Sequence, residues 1–182
     1  MVMPATIPRY TVDDLEHFPR DGNRYELLDG MLLVTPGPGL PHEVVVSRLA
    51  ARLTVAVQVP GHAYVFTHGA VKLPPGTQLE PDILVVPNSC ATLEEWEDVH
   101  DYWLVVEVLS RGSRIYDRDF KRDEYLRLGA NEVWLVDRRD KSVDVSHVRG
   151  VSETVREELF WHVPTLELQV RIDLGEVFAG LV

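Results

Sequence analysis

Cysteine is nearly absent. The one thiol in 182 residues, Cys90, excludes an internal disulfide framework and a cysteine-based zinc cluster, and it fits a reducing compartment. Positive charge is also scarce: 18 lysines and arginines stand against 29 acids, for a net charge of −11 and a pI near 5.0. No global basic field draws in a polyanion, so a nucleic-acid partner has to meet a local basic surface. No apolar run approaches the ~18 residues read as a membrane span. The start, MVMPATIPRY, lacks a charged stretch followed by an apolar one. A soluble, cytoplasmic protein with no membrane partner is therefore expected. The sequence also lacks G-x-G-x-x-G and G-x-x-x-x-G-K-[ST] phosphate loops, the G-x-S-x-G elbow and H-E-x-x-H. With no repeat and no low-complexity linker, one domain over residues 1–182 is expected.

What remains is an ordinary globular composition, 45% hydrophobic and 26% charged, enough for a sizeable core. TVDDLEHF (11–18) reads as a short helix with Thr11 as N-cap. RYELLDGMLLVT (24–35) reads as two strands around an Asp29-Gly30 turn. Residues 42–58 read as a helix with Val45, Leu49, Leu53 and Ala56 in one stripe. HAYVFTHGAVKL (62–73) is a strand or a hairpin, PPGTQLEP is turn-like, and DILVV (82–86) is a short buried strand. LEEWEDVHD (93–101) holds five acids in nine residues and reads as a loop or one helical turn. YWLVVEVL (102–109) is a buried strand, RDFKRDEYLRLG (118–129) a helix ended by Gly129, and EVWLVD (132–137) another buried strand. SVDVSHV (142–148) is an edge hairpin partner, and DLGEVF (173–178) a last short helix capped by Asp173. Helix, three strands, helix and strand, with hairpins before and after, make an α/β (α+β) architecture with a mixed sheet.

Glu107 is the residue that calls for an explanation. Alternation puts Trp103, Val105, Glu107 and Leu109 on one face of their strand, and Leu104, Val106 and Val108 on the other. Both faces are otherwise apolar, and a buried carboxylate needs a proton, a cation or a metal. Pairing with an arginine would satisfy it; so would a metal. Asp82, opening the preceding strand after Pro81, supplies a second carboxylate. Two such groups on neighbouring strands suit Mg²⁺, which takes one or two carboxylates plus waters and phosphate oxygens.

Lys121 is the third candidate. With Phe120 as origin and about 100° per residue, Lys121 falls between Leu128 and Tyr125, inside the apolar arc that also holds Glu124. It either snorkels to solvent along that face or reaches over the sheet to a reacting phosphate or water. Glu26 is an exposed hairpin residue or a further site carboxylate. His42, at the start of a helix, is a packed neutral imidazole or a site residue. The segment 111–127, with six basic and four acidic residues, is the most basic stretch of an acidic chain. A phosphate backbone is tolerated there, and a salt-bridged surface helix accounts for it nearly as well.

These parts resemble the Uma-two family, restriction endonuclease-like domains of the PD-(D/E)XK nuclease superfamily. The strings, in order, are YELLDG, a histidine opening a helix, EPDILVV, LVVEVLS, D-x-x-x-K-x-x-x-Y and EVWLVD, and they cover roughly residues 10–180. The resemblance implies a restriction endonuclease-like αβββαβ core with mixed sheet and added hairpins. It implies that Asp82 and Glu107 bind Mg²⁺ or Mn²⁺. Where the superfamily has a strand lysine this chain has Leu109; Lys121 and Tyr125 match a lysine and tyrosine that the family carries in the following helix. Glu26 and His42 match further recurrent positions. The expected function is a metal-dependent endonuclease cutting DNA, and analogy with small nucleases of the superfamily suggests a homodimer. The alternatives are a catalytically silent module of the same fold, favoured by the acidic charge and Leu109, and a two-carboxylate glycosidase using Trp96 and Trp103.

Overall fold

Asp29 and Gly30 take positive φ, 49° and 78°, the twist that a two-residue hairpin turn requires. They join β1 (Asn23–Leu28) to β2 (Met31–Pro36) in the expected pairing, Glu26 opposite Leu33. Residues 9–109 and 120–181 are described by this computed structural model. Before the hairpin, Val12–His17 forms a 3₁₀ turn, and Asp14 accepts from the Thr11 amide at 2.7 Å. After it, α1 (Leu40–Leu53) runs into a π-helical stretch, Thr54–Gln58. Val45, Leu49 and Leu53 are buried as predicted, but Val57 takes the place expected for Ala56. The amide of Val59 reaches the carbonyl of Thr54 and that of His62 reaches Val57; this wider turn rotates Val57 inward.

Residues 62–73 form neither one strand nor a hairpin. β3 (Ala63–Phe66) pairs with β6 (Ile83–Pro87), whereas β4 (Val71–Leu73) turns away to pair with β5 (Thr77–Leu79), which lies in the segment expected to be only a turn. Next come β7 (Leu104–Val108), α2 (Arg122–Arg127) and β8 (Val133–Asp137). The first positions of the helix expected over 118–129, and most of the basic segment at its start, lie outside the described residues. Gly129, at φ 101°, ends α2 as expected. Strands β9 (Ser142–Val148) and β10 (Val151–Val155) make a hairpin, β11 (Glu158–His162) and β12 (Gln169–Asp173) another, and α3 (Leu174–Phe178) closes the chain. Asp173 caps α3 by accepting from the Glu176 amide.

The larger sheet has the order β10-β9-β8-β7-β6-β3, with β7 and β8 parallel and the other neighbours antiparallel. A smaller sheet has the order β2-β1-β5-β4. Read through α1, β3, β6, β7, α2 and β8, the chain has the αβββαβ order. Strands β6, β7 and β8 are buried along their whole length, as central strands covered on both faces must be. On one face Leu49, Leu53 and Val57 pack with Val106, Trp134, Trp161 and Phe178, each contributing about 1.5–3 kcal/mol by burial. On the other, Leu28 and Leu79 of the smaller sheet pack with Val105, Leu135 and Tyr125. Trp103 joins the α1 side, contrary to the alternation, because it precedes the first residue of β7.

Candidate active site

The pairing of β6 with β7 runs Leu84↔Val105 and Ile83↔Val106. One step further along this ladder, Asp82 and Glu107 occupy facing positions, and the Val108 amide donates to Asp82 Oδ2 at 2.8 Å. The two carboxylates are thus brought to one end of the ladder by register. Glu107 projects to the face covered by β1 and α2. There Lys121 Nζ lies 3.1 Å from Glu107 Oε1 and 2.7 Å from Glu26 Oε2. Tyr125, one helical turn on, donates its hydroxyl to Glu107 Oε1 at 2.6 Å. Glu26 also accepts the Glu80 amide at 2.8 Å through Oε1.

Exposure decides between the alternatives left open by the sequence. Glu26 is 1% exposed, Asp82 2%, Glu107 3% and Lys121 3%. Glu26 is therefore no exposed hairpin residue, and Lys121 does not snorkel. Phe120, taken as the origin of the apolar arc, is half-exposed. The buried arc centres instead on Lys121 and Tyr125, four residues apart on one face. Glu124 is buried too and pairs with Arg127 through Oε2 at 2.7 Å.

Asp82 is held by two more groups. His42 Nε2 lies 3.0 Å from Oδ2, and Arg24 Nη1 lies 2.8 Å from Oδ1. His42 reaches it from the first turn of α1. Arg24 was not anticipated, although alternation places it on the same face of β1 as Glu26. That spacing is the signal that could have found it.

Burial opposes charge on both Asp82 and His42, and their mutual attraction outweighs it. The hydrogen bond and charge of Asp82 raise His42 above its ordinary 6.5; His42, Arg24 and the Val108 amide lower Asp82 below 3.8. The histidine contribution to stability is full below the unfolded-state value and is lost as pH rises through the raised folded value. The aspartate contribution is full above its unfolded-state value and is lost as pH falls through the lowered one. The pair therefore stabilises most between roughly pH 4 and 6.5. Accordingly, the stability difference between the protein and His42→Gln, from urea unfolding, is expected to be wide at about pH 5.5 and to narrow by about pH 9. A difference that stays flat over that range would rule out a protonated His42.

The six residues singled out in the sequence meet here. Five of them, Glu26, His42, Asp82, Glu107 and Lys121, line a cavity of about 20 Å³ together with Arg24 and Thr35, and Tyr125 bonds Glu107 from behind. That volume holds about one water molecule or a bare ion of similar size. Among the described residues no group of three histidine, cysteine or acidic side chains forms a metal cage. Two hard carboxylates are nevertheless the donor set that Mg²⁺ takes where waters and phosphate oxygens complete its shell. The chemistry of the donors fits the ion.

A family model described as Uma2, putative restriction endonuclease, matches residues 12–178. No curated protein matches the chain. Among solved structures, the chain is similar to a putative nuclease belonging to DUF820 from Anabaena variabilis ATCC 29413. The TM-score is 0.73 at 20% sequence identity, over 92% of this chain and 97% of that one. The likeness is one of fold, and it carries the αβββαβ arrangement with its mixed sheet and added hairpins.

Proposed function

We propose that this chain, which belongs to the Uma2 family of putative restriction endonucleases, is a metal-dependent endonuclease that hydrolyses phosphodiester bonds of DNA. The observation that carries this reading is the convergence of Asp82 and Glu107 at the end of one strand ladder, with the Lys121 ammonium 3.1 Å from Glu107. Asp82 and Glu107 hold Mg²⁺ or Mn²⁺. When bound, such an ion polarises a phosphoryl oxygen and acidifies a water. Lys121 donates to the attacking water or to the phosphoryl oxygen as negative charge develops there. Its place at the start of α2 accounts for a buried Leu109, just past β7, where related nucleases use a strand lysine. Glu26 and Tyr125 are positioning residues: Glu26 fixes the ammonium at 2.7 Å, and Tyr125 fixes the carboxylate of Glu107. His42 and Arg24 do the same for Asp82.

Purified protein is expected to cut DNA when supplied with Mg²⁺ or Mn²⁺ and to stop when the metal is chelated. Failure to cut any DNA under both metals would refute the reading.

One observation favours the silent module instead. Both oxygens of Asp82 are already engaged, Oδ1 by Arg24 and Oδ2 by His42 and the Val108 amide, so the fold is charge-compensated without metal. Calorimetry separates the two. Uptake of Mn²⁺ that disappears in Asp82→Asn supports the nuclease, and no uptake supports the silent module.

A further inference from the structure

Beside the reaction centre lies a second cavity, of about 260 Å³, in which Arg24 and Pro81 form part of the wall. Both residues tie it to the site: Arg24 also lines the small carboxylate cavity, and Pro81 precedes Asp82 in the chain. Trp96 closes one side of it. The indole is half-buried and stands edge-to-face on Phe66, at a centroid distance of 5.1 Å and an angle of 84°. Gly69 makes room for it: a Cβ there would come to 3.3 Å from the indole and 2.9 Å from Leu84. The ring is therefore set in place by packing rather than left to swing in solvent.

The remaining walls are polar. Lys72 of β4 stands opposite Gln78 of β5, and both line the cavity with Glu80 and His68. In a chain of net charge −11, this cavity is lined by two cations, Lys72 and Arg24, the latter also paired with Asp82 through Nη1 at 2.8 Å, and by one carboxylate, Glu80. An indole, amide and imidazole hydrogen-bonding groups and two cations in one cavity match the parts of a nucleotide: base face, base edge and phosphate. The volume falls just below the usual range of small-molecule sites, about 300–1,000 Å³, and suits one nucleotide rather than a duplex.

We infer that this cavity binds one unpaired nucleotide of DNA next to the scissile phosphate, with the base stacked on Trp96 and a phosphate on Arg24 and Lys72. The inference rests on the nuclease reading above and adds to it that the strand is engaged with a base out of the duplex, whether single-stranded or flipped.

The test is binding of a short oligodeoxythymidylate to the wild-type protein in metal-free buffer, followed by tryptophan fluorescence. Trp103, Trp134 and Trp161 are buried, so quenching by the strand reports on Trp96. The expected result is saturable quenching. Binding should weaken roughly 5- to 150-fold for a strand of abasic residues of the same length, the range of one lost stacking contact. Trp96→Ala, followed by anisotropy of a labelled strand, should show a similar loss; the abasic strand makes the same test on the unaltered protein. Equal affinity for the abasic strand, or no quenching by the thymidylate strand, would overturn the inference. Should metal-dependent cutting be present while the abasic strand binds equally well, the pocket fails and the nuclease stands. Should thymidylate quench Trp96 while no DNA is cut, the nuclease fails and the pocket stands.

Discussion

Glu107→Gln is expected to abolish metal-dependent cutting of DNA, a loss on the order of 10³-fold or more, while the protein stays folded. The two halves of that statement come from different atoms. Oε1 of Glu107 accepts from Tyr125 at 2.6 Å and from Lys121 at 3.1 Å. A glutamine carbonyl oxygen in the same place accepts both bonds, and Lys121 keeps Glu26 at 2.7 Å. Among the described residues at the cavity, three carboxylates (Glu26, Asp82, Glu107) face two permanent cations (Arg24, Lys121). His42, held above its ordinary value by Asp82, adds a third cation below that raised value, so the substitution trades charge-assisted contacts for neutral ones rather than stranding a carboxylate. Stability should then change by no more than about 1–2 kcal/mol, the difference between a charge-assisted and a neutral hydrogen bond. What is lost is the anionic ligand: with the carbonyl oxygen held by Tyr125 and Lys121, the amide nitrogen takes the place of Oε2 and offers no lone pair to a cation. Wild type and variant cutting alike at equal folded fraction would show that the reaction does not run through Glu107.

How much of this could be read from the sequence depended on how each feature is encoded. The strands β6, β7 and β8 were legible because central strands buried on both faces are written as unbroken apolar runs, and the β1–β2 hairpin because Asp29-Gly30 has one common use. Glu107 was legible as the exception inside such a run. β4 and β5 were not: three-residue strands at Val71–Leu73 and Thr77–Leu79 are shorter than any periodicity can register, and the proline- and glycine-rich turn between them hides the pairing. Arg24 was missed for another reason. Its partner, Asp82, is 58 residues away, and only the tertiary approach of β1 to the end of β6 turns a surface-looking arginine into a site residue. The helical phase counted from Phe120 points Lys121 inward, and Lys121 is buried although Phe120 is not the centre of the buried arc. Phe120, the most hydrophobic residue of its turn, faces outward, because the buried face there is polar and is organised around the carboxylates.

The same polar burial makes Lys121 the residue whose loss should cost most in stability. Lys121→Met keeps the length of the stem and removes the ammonium that bridges Glu26 and Glu107. Two buried carboxylates then share one cavity with their common cation gone. Breaking a buried pair in this way costs about 3–5 kcal/mol, against a total of about 5–15 kcal/mol for a domain. The urea midpoint should fall accordingly at neutral pH. Lys121→Met combined with Glu107→Gln should recover part of the loss, because one of the two like charges has been removed. The coupling between the substitutions should be on the order of 1–3 kcal/mol. Cutting should not return in that double variant, since neither the ligand nor the ammonium is present. A loss of cutting in Lys121→Met alone that exceeds its loss of folded fraction would separate the two tasks of Lys121: it neutralises Glu26 and Glu107 in the fold, and it supplies charge to the reaction. A stability loss below about 1 kcal/mol for Lys121→Met, the range of an exposed pair, would mean that the ammonium lies in solvent and that the bridge does not form.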